Sequence, residues 1–65
     1  MNSMDTELFI YESLSGMFPS DIVTGHFANN VYVIGLTREA EPKEIDKFHL
    51  VDKGLMTYGA FLDKY

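Results

Sequence analysis

The stretch "KFHLVDKGLMTYGAFL", Lys47 to Leu62, decides the fold. Two readings fit it. In the first, a helix runs from Pro42 to Lys53, lines up Ile45, Phe48 and Val51 on one stripe, and ends with Gly54 just past its last turn. In the second, "KFHLV" and "LMTYGAFL" are the strands of a hairpin around Asp52-Lys53-Gly54. Asp52 then starts a type I turn and Gly54 takes the position that needs positive φ. Met56, Tyr58, Ala60 and Leu62 share one face of the second strand. The hairpin is preferred, because its turn chemistry is specific while the helix has only Ala40 or Glu41 as its N-cap. A short helix from Pro42 to about Asp46 is compatible with it, since proline lacks a donor that the first turn leaves unpaired anyway.

Upstream, Val31 to Thr37 is the clearest strand in the chain. Val31, Val33 and Gly35 face one side, and Tyr32, Ile34 and Leu36 the other. Both sides are apolar, so both need cover, as in a central strand. Asn29-Asn30 suits a tight turn, because asparagine tolerates positive φ. Ile22 to Phe27 can therefore pair with Val31 to Leu36, with Gly25 marking a bulge or a close approach. Further upstream, "MDTELFIYESLSG" reads as a helix capped by Ser3 or Asp5 and ended by Gly16, with Leu8, Tyr11 and Leu14 on one face. The compact run "LFIY" within it also fits a strand. Ser13 and Ser15 then fall at an exposed helix end. The expected fold is α+β: one small domain over residues 1–65, with an N-terminal helix packed on an antiparallel sheet of three to four strands.

The chain has 65 residues and no cysteine, so neither a disulfide nor a thiolate zinc site can brace it. A domain this short buries only about 60% of its unfolded surface. Its core rarely supplies more than about 3–5 kcal/mol of net stability. Five phenylalanines and four tyrosines nevertheless provide material for a core, and disordered chains lack such material. No basic, apolar leader opens the sequence and no run approaches the ~20 apolar residues of a spanning helix. With cysteine absent, the expectation is a cytoplasmic protein.

The formal charge is −5. Residues 1–22 hold Asp5, Glu7, Glu12 and Asp21 and no lysine or arginine. Arg38, Lys43, Lys47 and Lys53 are interleaved with Glu39, Glu41, Glu44, Asp46 and Asp52. No basic stripe emerges, which disfavours direct nucleic-acid binding. The aromatic residues have few cations between them, unlike a platform for single strands.

Chemistry-bearing patterns are sparse. His26 and His49 have no third metal ligand in a recognisable spacing. Ser13, Ser15, Ser20 and Thr24 are nucleophiles by type only, and no glycine-rich phosphate loop exists. No metal, cofactor or catalytic residue is assigned, and the chain is read as a non-enzyme. The expectation is a small acidic regulatory protein that binds and modulates another protein, in one version by occupying a basic surface. Asp5, Glu7 and Glu12 are its candidate contact charges. A homodimer is also expected, since one helix cannot cover both apolar faces of Val31 to Leu36, with Tyr32, Ile34 and Phe61 as candidate interface residues. The alternatives are a dimeric DNA-binding regulator and a self-assembling structural subunit.

Overall fold

The structure, a computed structural model, describes residues 3–65. A single 3-10 turn, Ser3–Asp5, leads into strand β1, Glu7–Ser13. Strands β2, Thr24–Ala28, and β3, Val31–Leu36, follow. Helix α1, Pro42–Phe48, then precedes strand β4, Leu50–Thr57, and helix α2, Tyr58–Lys64, closes the order. The four strands form one sheet in the order β2-β3-β1-β4, antiparallel throughout. The α+β class and the antiparallel sheet are as expected.

The N-terminal helix is not present. Residues 7–13 are strand β1, which lies inside the sheet between β3 and β4. The reason is two-sided burial. Leu8 and Ile10 are buried on one face of β1, and Tyr11 and Ser13 on the other. A period of two satisfies both faces, whereas a helix would have presented Phe9 and Ile10 to solvent. Ser13 is accordingly a buried strand residue and not part of an exposed helix end. Its hydroxyl donates to the Met17 carbonyl, and Ser15 Oγ donates to the Phe48 carbonyl at 2.7 Å.

The Lys47–Leu62 stretch is neither a hairpin nor one helix. Asp52-Lys53-Gly54 forms a bulge within β4. Phe9 pairs with Leu55 and Tyr11 with Asp52, so Ile10 alone faces Lys53 and Gly54. The local chemistry expected of the turn is there: Gly54 has φ 90° and its N–H donates to Asp52 Oδ1 at 2.7 Å. The chain stays extended because β1 offers a partner on both sides of the bulge. The end of "LMTYGAFL" is helical, with Thr57 as N-cap accepting from the Ala60 N–H at 3.1 Å. Helix α1 stops at His49, which takes a left-handed conformation (φ 54°) and turns Leu50 into the core. The Glu41 N–H, at its other end, donates to Glu44 Oε1 at 2.9 Å.

The Val31 strand behaves as read. It is central, and the Asn29-Asn30 turn has φ 52° and 68°. Its two faces belong to two separate cores. Ile34 and Leu36 pack with Tyr11, Ala40 and Leu50 under Phe18, Ile22 and Phe48. Val33 packs on the opposite face with Leu8, Ile10 and Phe61. One face is therefore roofed by α1 and the 14–23 segment, the other by α2. Gly35 permits the second arrangement, since a Cβ there would lie 2.9 Å from Leu8 Cδ1. Tyr11 fastens the first, its hydroxyl oxygen accepting from the Ala40 N–H at 2.9 Å.

Candidate functional site

An open groove of about 520 Å³ lies between the 14–23 segment and α1, edged by Pro19, Lys43, Lys47 and Phe48. Arg38, Asp21 and Glu44 also line it. Arg38 Nε and Nη2 donate to Asp21 Oδ2 and Oδ1 at 3.0 and 2.9 Å. Nη1 and Nη2 donate to Glu44 Oε1 and Oε2 at 2.8 and 3.0 Å. The remaining N–H of Nη1 donates to the Glu39 carbonyl at 3.1 Å. All five guanidinium donors are spent inside the protein. The hydrogen bonds from Arg38 hold both carboxyls below their ordinary range and raise the guanidinium further above its own. The groove is thus floored by a closed ion-pair clip that joins the 14–23 segment to α1, with no donor left on Arg38 for a ligand.

A second feature lies on the α1 face beyond the groove. Phe18 stacks on Tyr32 with ring centroids 4.5 Å apart and planes 6° from parallel. Phe27 meets the same Tyr32 ring edge-on at 5.0 Å. Tyr32 leans across Gly25, where a Cβ would lie 2.9 Å from its Cε1. The glycine therefore marks a close approach. Phe27, on strand β2, is the outermost member and is 71% exposed.

The residues expected to contact a partner or a second copy are dispersed. Asp5 and Glu7 are exposed around the start of β1, whereas Glu12 is half-buried in its far half. Alternation puts Glu7 and Glu12 on opposite faces, and Glu12 Oε1 lies 3.5 Å from Lys53 Nζ across the β1–β4 pair. Ile34 and Phe61 are fully buried, on opposite faces of the sheet. The cover that was expected from a second copy is supplied by α2 and the 14–23 segment. Tyr32 alone of that set stays half-exposed, within the ring stack. His26 packs against the Phe61 and Tyr65 rings at 5.1 and 6.1 Å, and His49 is the left-handed residue after α1. Among the described residues no three His, Asp or Glu side chains are grouped to hold a metal ion, and no helix is long and apolar enough to cross a membrane.

Sequence reasoning missed Phe27 as an exposed aromatic. The signal that could have found it is the run from Ile22 to Thr37, which contains no charged residue in a chain of net charge −5. Comparison with family models, with curated proteins and with solved structures finds no match to this chain.

Proposed function

We propose that this chain is a small acidic regulatory protein that acts by contact, binding a partner protein at a basic surface and modulating it without carrying out a reaction. The observation that carries this reading is the unequal use of charge. Arg38, Lys43 and Lys53 are engaged by Asp21, Glu44, Glu41 and Glu12. Lys47 and Lys64 lie over the Phe48 and Tyr65 rings at 5.3 and 5.6 Å. Asp5, Glu7, Glu39, Asp46, Asp52 and Asp63 form no ion pair among the described residues. The charge left facing solvent is therefore mostly carboxylate, and such a surface steers basic partners and repels acidic ones.

The closed clip at Arg38 supports the non-catalytic half of the reading, because the groove above it is offered no uncommitted guanidinium. It also argues against the DNA-binding alternative. That reading needs Arg38, Lys43, Lys47 and Lys53 free for phosphates, and three of the four hold carboxylates.

Affinity capture from the native host lysate, run at low and at high salt with mass spectrometry, tests the proposal. The expected result is one stoichiometric protein with a basic surface, released as salt rises. Capture of the chain alone, or of a partner indifferent to salt, would contradict it.

A further inference from the structure

The two outer edges of the sheet differ in a way that identifies one of them as a pairing edge. Strand β4 carries the Lys53-Gly54 bulge and the exposed Asp52 and Lys53, the features by which edge strands are kept from pairing. Strand β2 has none of these. It pairs with β3 in unbroken register from Thr24 to Ala28, lies inside the uncharged run from Ile22 to Thr37, and presents the exposed Phe27.

We infer that β2 is occupied by β2 of a second copy of this chain, paired antiparallel about a two-fold axis at His26. The backbone favours that register. Ala28 and Val31 close a two-residue turn and so form a hydrogen-bonded pair. Alternation then directs the N–H and C=O groups of Thr24, His26 and Ala28 toward β3, and those of Gly25 and Phe27 outward. A two-fold axis at His26 sets Gly25 of each copy opposite Phe27 of the other, so the outward groups meet one another. The side chains agree with the backbone. Gly25 and Phe27 share the α1 face, and each Phe27 ring comes against the outer side of the Tyr32 ring that lies over the other copy's Gly25, a ring position that a Cβ at residue 25 would not allow. The stack of Phe18 on Tyr32 then continues into Phe27 of the second copy.

Charge selects the same edge. Two chains of net charge −5 repel one another, and the uncharged β2–β3 hairpin is where they approach without opposing carboxylates. The contact is one five-residue strand per chain. Interfaces of that scale are weak, so the dimer forms at high concentration. The inference does not depend on the proposed function, because the pairing leaves the unpaired carboxylates outside the contact.

Sedimentation equilibrium of the full chain from about 1 µM to about 1 mM, with residue-resolved amide exchange at both ends of that range, tests it. The expected result is a shift from monomer to dimer mass, with the Gly25 and Phe27 amides slowing at least about tenfold in exchange as the dimer fills. Phe27→Lys should hold the chain monomeric throughout, and Leu55→Lys on the β4 edge should leave the dimer intact. A wild-type chain that remains monomeric, with Gly25 and Phe27 exchanging at one rate at every concentration, would overturn self-pairing and leave the edge to a foreign strand. A dimer that survives Phe27→Lys, or is lost on Leu55→Lys, would place the interface elsewhere and overturn it equally. The exchange readout uses the wild type, so the inference remains testable even if a variant fails to fold.

Discussion

Arg38 and Glu44 meet fork to fork, Nη1 to Oε1 at 2.8 Å and Nη2 to Oε2 at 3.0 Å, and the same guanidinium turns its other edge to Asp21. One side chain thereby joins the loop before β2 to the helix after β3. Exposed ion pairs contribute little singly, but a shared two-sided geometry is the form in which they count.

A pH dependence follows from this clip. Asp21 and Glu44 titrate lower in the folded chain than their ordinary values of 3.8 and 4.5. As pH falls, the unfolded chain takes up these protons first, so the clip's contribution is complete above the ordinary values and is lost as pH drops through the lowered ones. Thermal melts at pH 7 and pH 3 should show a larger drop in Tm for the wild type than for Arg38→Met. Equal drops would mean that the clip contributes nothing to folding.

The two phenylalanines that look alike in the sequence should behave oppositely. Phe61 is fully buried between α2 and the sheet, and Phe27 is 71% exposed. Phe61→Ala should cost about 3–5 kcal/mol, which is comparable to the whole stability available to a chain of this size and should leave it largely unfolded. Phe27→Ala should change monomer stability by no more than about 0.5 kcal/mol. Urea denaturation at low protein concentration separates the two.

Gly54 offers a test of the bulge by chirality. Its φ is 90°, and a Cβ there would meet nothing within 4 Å. L-alanine should therefore destabilise by about 1–2 kcal/mol through backbone strain alone. D-alanine, which prefers positive φ, should stabilise by about 0.5–1 kcal/mol by narrowing the unfolded ensemble. Chemical synthesis and denaturant titration can compare the pair, and equal effects of the two enantiomers would contradict the bulge.

Much of the sheet was legible in the sequence because its signals are local. The two-sided apolar pattern of Val31 to Leu36 made β3 central, and Asn29-Asn30 supplied the left-handed turn. Proline at position 42 started a helix where one exists. What failed was non-local. "LFIY" became a strand because β3 and β4 flank it, and nothing within those residues shows two neighbours. Asp52-Lys53-Gly54 has the same side-chain chemistry in a turn and in a bulge, and only pairing with Phe9 and Tyr11 distinguishes them. The spacing of Tyr58, Phe61 and Tyr65 fits a helix, but the preferred hairpin took part of that segment as strand. The candidate contact residues fared as their type suggests. Asp5 and Glu7 are exposed, whereas Ile34 lies under α1 and the 14–23 segment and Phe61 is the buried residue of α2 on the other face, two roofs that the run Val31 to Leu36 does not reveal by itself.

The measurement that bears most directly on the proposed function is the association rate of the captured partner across ionic strength, for the wild type and for a variant carrying Asp5→Asn and Glu7→Gln. These two carboxylates are exposed and have no ion pair among the described residues. The variant should associate more slowly at low salt, by roughly tenfold at most, with a shallower salt dependence and a nearly unchanged dissociation rate. Equal association rates at low salt, with parallel salt dependence, would contradict a function exercised through this acidic surface.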